Sequence, residues 1–460
     1  MEWNLVPPSA LFTDLYDLTM AQAYHAEGLE QVAVFELGCR RLPPGRNYLV
    51  AAGADTVREF VASFGFSAAD LEYLRSLGSF EPGFLARLAA LRFTGEVFAV
   101  PEGTPVFAGE PLLQVVAPLI EAQLIETFAL NQVHVQTMAA SKAARVVAAA
   151  QGRPVVDFGS RRAHGADAAL QVARATYLAG GAGTSNVLAG RRFGIPVFGT
   201  MAHSYVQAHE REDEAFAAFA ALYPGSTLLV DTYDTLAGVH HVAALARRLG
   251  PAFRVGAIRL DSGDLGALAR ESRRILDAAG LAHVEIFASS GLDEYAIEAL
   301  LAGGAPIAGF GVGTKLAVSE DAPDLDLTYK LVALDGADKL KLSAEKIIYP
   351  GRKQVFRQCN AAGEMSGDVI GRWEERLPGQ PLLVPLWSAS APPAALSPAE
   401  SLRRARVRLA AELPRLPATW RALAPAAAPY PVRYSDALRS RLAAAQAALG
   451  SPAFLRGGIS

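Results

Sequence analysis

The sequence predicts an α/β protein whose catalytic part is a barrel of parallel strands. Three observations point there: short apolar runs recur at roughly thirty-residue spacing, helical patterns separate them, and every run ends in glycine or polar residues. The runs occupy residues 154–159, 195–200, 228–232, 255–261, 284–289 and 307–311. They are apolar without alternation, as strands buried on both faces require, and the intervening helices imply βαβ units. An open doubly wound sheet would also satisfy this pattern. The barrel is preferred because six successive strand ends carry side chains suited to chemistry, as the top face of a barrel does.

The elements follow in chain order. Residues 14–24 read as a helix, 31–38 as a strand, and 51–64 and 68–76 as helices. Between 93 and 116, Pro101, Gly103, Pro105, Gly109 and Pro111 cut the apolar runs into strands. A long helical pattern covers 120–150, and helices at 239–249 and 265–279 alternate with the strands. Beyond Leu331 the chain turns β-rich, with strands over 346–357 and 368–373. From Pro392 an Ala/Arg/Pro-rich tail keeps helical apolar spacing through Leu402, Val407, Leu409 and Leu413. The expected division is an N-terminal α/β domain over 1–125 and a barrel domain over 126–345. Strands completing the first domain, plus the helical tail, fill 346–460.

Composition narrows the function classes. The chain has 460 residues, 51% of them apolar and 19% charged, which is the balance of a soluble globular protein. A net charge of -3 gives no general attraction to nucleic acid or to an anionic membrane, so any anionic ligand must be held by local groups. Cys39 and Cys359 stand far apart and offer no disulfide framework or metal cluster. Met1-Glu2-Trp3-Asn4 opens no basic-then-apolar leader, and no apolar run approaches the ~20 residues of a membrane span. A cytoplasmic location is the expectation.

The strand ends hold the candidate chemistry. Asp157-Phe158-Gly159 mimics a kinase signature, but no matching glycine loop or catalytic loop accompanies it. After it come Arg161 and Arg162, which suit bidentate contact with phosphate or carboxylate, or a plain surface ion pair. Glycine-rich stretches at 180–186 and 309–314, and Ser289-Ser290-Gly291, can bring backbone N–H groups close to an anion or serve as simple turns. His203 lies just past the run ending in Gly199-Thr200, where an imidazole can act as acid, base, ligand or phosphoryl acceptor. Asp231, Asp261 and Asp264 could hold ribose hydroxyls or Mg²⁺, or could neutralise Arg259. No lysine sits within a strand run, against a Schiff-base aldolase, and no nucleophile elbow is present. The residues themselves lead to a phosphate-substrate barrel enzyme assisted by Mg²⁺.

The ordered motifs say more. Thr13-Asp14-Leu15-Tyr16, Phe35-Glu36-Leu37, Asp157 through Arg162, Gly183-Thr184-Ser185-Asn186, Gly199 through Ser204, Val230-Asp231-Thr232-Tyr233, Arg259 through Asp264 and Gly311-Val312-Gly313-Thr314 together resemble the nicotinate phosphoribosyltransferase family. The resemblance covers residues 11–357. It implies a type II phosphoribosyltransferase fold, an irregular α/β barrel with an added α/β domain. It also implies an ATP-coupled enzyme of NAD salvage, working as a homodimer. Its substrates would be nicotinate, phosphoribosyl diphosphate and ATP, with Mg²⁺. By the same resemblance His203 is the phosphohistidine, and Arg161 and Asp231 are active-site groups. Tyr16, Thr200, Arg259 and Ser185 would contact nicotinate, with Tyr16 reaching across the dimer. Thr314, Gly313, Gly291 and Asp261 would hold the phosphoribosyl donor.

Two alternatives differ in class or substrate. Nicotinamide-using relatives carry an aspartate where this sequence has Ser185, and that carboxylate would repel nicotinate. A quinolinate enzyme would want further basic residues for a second carboxylate. A non-catalytic phosphosugar-binding barrel would not need His203, Arg161 and Asp231 together.

Overall fold

The computed structural model describes residues 9–341, 348–394 and 396–449. The chain forms two compact units, one of residues 1–138 with 324–460 and one of residues 139–323. The first division falls inside the long helix Glu126–Ala149 rather than ahead of it at residue 126. The second division falls at 323/324, well ahead of the expected 345/346, because Leu327–Leu334 pairs into the first unit's sheet; residues 342–347, with the first residues of the strand expected from 346, lie outside the described residues.

The second unit contains six parallel strands: β1 (Val155–Asp157), β2 (Gly183–Thr184), β3 (Thr227–Leu229), β4 (Ala257–Leu260), β5 (Glu285–Ser289) and β6 (Gly309–Val312). Their order in the sheet is β2-β1-β6-β5-β4-β3. The first strand thus pairs with the last, Phe310 opposite Val155 and Val312 opposite Asp157. Val155, Leu228, Ile258, Leu260, Ile286 and Phe310 are buried; β1 and β6 are buried along their whole length, while Arg259 and Glu285 occupy the less buried positions of β4 and β5.

The run at 195–200 does not become a strand. Pro196 has no N–H to give a ladder, Val197 and Phe198 are exposed, and only an isolated parallel bridge from Val197 to Thr184 remains. Gly183-Thr184, expected as loop, forms β2 instead. A Cβ on Gly183 would come within 2.3 Å of the Pro196 carbonyl oxygen, so only glycine permits this approach. Among the described residues no ladder joins Val197 to β3.

Helices fill the connections, and four of them start on side-chain caps. Asn186, Asp234, Asp264 and Asp293 accept from the backbone N–H three residues on, at 2.8–3.0 Å. This reassigns Asp264. Its carboxylate caps helix Leu265–Ala278, so the structure gives it a structural task where the sequence suggested a ribose or metal ligand.

The first unit is built from a six-stranded sheet and a four-stranded one. In the larger, Val32–Cys39 lies between Leu327–Leu334 and Pro111–Pro118, antiparallel to both, so distant parts of the chain share one sheet. In the smaller, Lys353–Cys359 pairs with Met365–Arg372, which also takes Val432–Tyr434 as a parallel neighbour. Among the described residues the tail runs helix Pro398–Glu412, short helix Ala418–Arg421, that strand, and helix Asp436–Leu449.

A buried charge cluster lies under this smaller sheet. The Arg357 guanidinium meets Asp368 at 2.7 Å, the Tyr430 hydroxyl donates to Asp368 at 3.0 Å, and the fully buried Glu110 accepts from the Phe107 N–H at 2.9 Å. Burial, reinforced by the neighbouring Asp368, raises the Glu110 carboxyl well above its usual range, and Arg357 only partly opposes this. A raised folded-state pKa contributes stability that is whole below the unfolded value and is lost as pH climbs through the folded one. Glu110→Gln should therefore gain on the wild type between about pH 5 and pH 8, by about 1–3 kcal/mol, the penalty of charging a buried group. Urea unfolding at both pH values measures it; a difference that does not vary with pH would refute the assignment.

Candidate active site

The site forms where the second unit's strands end. Asp157, buried at the end of β1, accepts from the Gly159 N–H and from the Thr184 hydroxyl, both at 2.7 Å. Burial raises its pKa while these two donors pull it back. Asp157 thus fixes the turn after β1 and the end of β2 together. From that turn, the 3-10 segment Ser160–Arg162 presents Arg161 and Arg162, both exposed. Neither makes an ion pair among the described residues.

These arginines line a polar cavity of about 200 Å³ with Arg259, Asp261, Gly291, Gly313 and Thr314. Arg259 rises from β4, half-buried. Its Nη2 donates weakly to the Met201 carbonyl at 3.3 Å, and its Nε is buried without a partner. Burial lowers its pKa, while the Asp261 and Asp231 charges counter that and Arg161 adds to it. The guanidinium is therefore desolvated with most of its donors unspent.

Beside it runs a chain of short contacts. Ser289 donates to Asp261 Oδ1 at 2.5 Å. Asp231 Oδ2 accepts from the Asp261 N–H at 2.9 Å and the Ser262 hydroxyl at 2.6 Å, leaving Oδ1 buried and unpartnered. His203 begins the short helix His203–Gln207; its Nδ1 lies 3.2 Å from the Thr232 hydroxyl and its Nε2 3.8 Å from Asp261. The imidazole is 42% exposed, so an incoming group can reach it.

The cavity thus gathers Arg161, Arg259, Asp261, Gly291, Gly313 and Thr314, with His203 and Asp231 adjoining through Asp261. Thr200 and Ser185 do not line it. Thr200 donates to the Met201 carbonyl at 3.1 Å, and the Ser185 N–H donates to the Asp157 carbonyl at 2.8 Å. Tyr16 belongs to the first unit, on helix Leu15–Glu27, where burial and Glu126 raise its pKa. Sequence reasoning passed over Lys315, which also lines the cavity. Its signal was a cation placed directly after the glycine-rich strand end. The first unit has a cavity of its own, about 250 Å³, but its cations are engaged: Lys353 meets Glu36 at 3.0 Å, and Arg40 and Arg41 meet Asp326.

Comparison with known proteins decides the family. Residues 11–134 match the model of the nicotinate phosphoribosyltransferase N-terminal domain, and residues 154–346 match that of the nicotinate phosphoribosyltransferase family. The chain is 63% identical over 377 residues to nicotinate phosphoribosyltransferase pncB2 of Mycobacterium tuberculosis, covering 82% of this chain and 81% of that protein. The chain belongs to the nicotinate phosphoribosyltransferase family. Identity to the nicotinate phosphoribosyltransferase of Bacillus subtilis is 44%, over 81% of this chain and 78% of the relative. The crystal structure of human nicotinic acid phosphoribosyltransferase superposes with a TM-score of 0.82 at 31% identity, over 94% of this chain and 99% of that one. The mixed α/β fold is therefore that of nicotinate phosphoribosyltransferases. No helix among the described residues is long and apolar enough to cross a membrane.

Proposed function

We propose that this protein transfers the ribose phosphate of phosphoribosyl diphosphate to nicotinate, giving nicotinate mononucleotide and diphosphate. The observation that carries the reading is Arg259, a desolvated guanidinium with unspent donors, facing the same cavity as Arg161 and the glycine turns. In the transfer, the pyridine nitrogen attacks the anomeric carbon. The bond to the diphosphate oxygen breaks, and its electron pair leaves with diphosphate. Positive charge grows on the sugar and negative charge on the leaving group, which Arg161 can stabilise. Arg259 meets the nicotinate carboxylate, and Gly291, Gly313 and Thr314 hold the donor. No proton has to move in this step.

ATP enters through His203. A ring nitrogen attacks the γ-phosphorus, the bond to ADP breaks, and water later releases phosphate. The phosphorylated ring adds roughly two negative charges beside Asp261 and alters the local field. A divalent cation fits the carboxylates present: Asp231 Oδ1 is a buried oxygen without a partner, and Asp261 Oδ2 is not used by Ser289. Among the described residues no three His, Cys, Asp or Glu form a ready-made cluster, as suits an ion held by one or two carboxylates and substrate phosphates. Mg²⁺ bound there would neutralise the departing diphosphate. The cyclic strand order, with β1 paired to β6, supports an irregular type II barrel with one open seam. A cytoplasmic homodimer, with Tyr16 serving the partner's site, completes the proposal.

The decisive assay is nicotinate mononucleotide formation from nicotinate and phosphoribosyl diphosphate, with and without ATP, beside the same assay with nicotinamide. Product from nicotinate, stimulated by ATP, is expected; turnover of nicotinamide alone would defeat the assignment. Ring choice is assigned to Ser185, which follows β2 outside the lining of the polar cavity, so the reading requires the ring to extend from Arg259 toward that strand end. A carboxylate there would repel nicotinate by about 1–4 kcal/mol at 4 Å, depending on screening. Ser185→Asp should lower the nicotinate-to-nicotinamide ratio of kcat/KM by about tenfold or more. Competition kinetics measure the ratio, and no change would count against Ser185.

A further inference from the structure

Of the cavity cations that the functional reading leaves without a task, Arg162 and Lys315, only Lys315 is held by a carboxylate among the described residues. It stands in the first turn after β6, beside Thr314, and its Nζ meets Asp293 at 2.7 Å. Glu320 is 3.9 Å away, beyond hydrogen-bond reach. An ammonium has three donors, so two remain for a ligand in the cavity. The hydrogen bond and charge of Asp293 raise the Lys315 pKa, which keeps it an ammonium at neutral pH.

Asp293 is itself immobilised. Its other oxygen caps helix Glu294–Ala302 by accepting from the Ala296 N–H at 2.8 Å. The next residue, Glu294, is fully buried and tied to Lys142 at 2.5 Å and Arg145 at 2.9 Å. Four residues before Asp293, Ser289 is pinned to Asp261. Between these anchors Ser290 and Gly291 both take left-handed backbone angles, φ +81° and +63°. For Ser290 this conformation is strained, on the order of 1 kcal/mol, and persists because both ends of the turn are held. The turn after β5 and the turn after β6 are thereby joined through one ion pair.

We propose that Lys315, aimed by Asp293, binds a phosphate group of the phosphoribosyl donor and that Asp293 is its positioning residue. The idea rests on the phosphoribosyl-transfer reading of the site. A loose surface lysine would swing among partners and lose that aim. Here the salt bridge fixes one donor on a rigid cap and leaves the remaining two for the cavity.

The test is steady-state kinetics of the full chain with donor and nicotinate varied in turn. Lys315→Met should raise the donor KM by about tenfold, the usual worth of one charge-assisted hydrogen bond, with the nicotinate KM unchanged and kcat within about twofold. Asp293→Asn retains an acceptor for the Ala296 N–H, so the melting temperature should hold, while the donor KM rises by about threefold as the lysine loses its anchor. Inhibition by ribose 5-phosphate and by diphosphate then tells which phosphate is held: the inhibitor whose Ki rises in Lys315→Met marks it. A donor KM within twofold of wild type in Lys315→Met overturns the inference, as does a rise in both KM values together. If wild type turns over and Lys315→Met is unchanged, this inference alone fails; an inactive wild type removes the functional reading as well.

Discussion

Arg259→Met is expected to lower kcat/KM for nicotinate by about 10²–10³-fold while leaving thermal stability unchanged or higher. The two signs follow from one observation. Within the protein the guanidinium is half-buried, has one weak hydrogen bond to the Met201 carbonyl, and keeps a buried Nε without a protein partner. Burial lowers its pKa, so its surroundings already tax the charged form. Methionine fills much of the same volume with no charge to desolvate, which relieves the free protein. With substrate bound the account reverses. A carboxylate placed against a desolvated guanidinium forms a strong bidentate contact, and its loss costs about 2–5 kcal/mol. Measuring kcat/KM together with the melting temperature separates this from general damage: a variant both inactive and markedly less stable would mean that Arg259 holds the fold.

How much of this was legible in the sequence depends on the kind of interaction. The strands at 155–157 and 309–312 were readable because burial on both faces demands unbroken apolar runs, and those at 228–229, 257–260 and 285–289 because their buried positions are mostly apolar. The run at 195–200 misled for the same reason: its apolar residues satisfy the pattern, yet Pro196 withholds the ladder and Phe198 stays 45% exposed. Strand β2 was hidden because glycine and threonine carry no apolar signal; what makes them a strand is the parallel ladder to Val156 and Asp157. Asp264 looked functional since a carboxylate after a strand end serves equally as a ligand or a helix cap, and only the 3.0 Å contact to Ala267 chooses between them. Arg161, Arg259 and His203 were visible as types at the right ends. The Asp231–Asp261–Ser289 contacts and the Lys315–Asp293 pair were not, because they join residues of different strands or turns through side-chain geometry.

The second large effect belongs to stability and to the first unit. Arg357→Met should destabilise it by about 3–5 kcal/mol, the cost of leaving a buried carboxylate without its counter-charge. Arg357 is 1% exposed and Asp368 1%, and the guanidinium reaches both carboxylate oxygens, at 2.7 and 3.2 Å. Those two residues sit opposite each other on neighbouring strands, so the pair also fixes the register of Lys353–Cys359 on Met365–Arg372. Once the arginine is gone, Asp368 keeps the Tyr430 hydroxyl and the neighbouring Glu110 carboxyl but no counter-charge, and Glu110 loses the charge that opposed its burial. The cost is electrostatic rather than steric, which a second variant can show. Arg357→Met combined with Asp368→Asn removes both charges, and it should recover at least half of the lost stability in urea unfolding. An additive outcome, with the double variant less stable than either single one, would mean that packing of Arg357 against the Phe107 ring, 5.5 Å from its centroid, outweighs the ion pair.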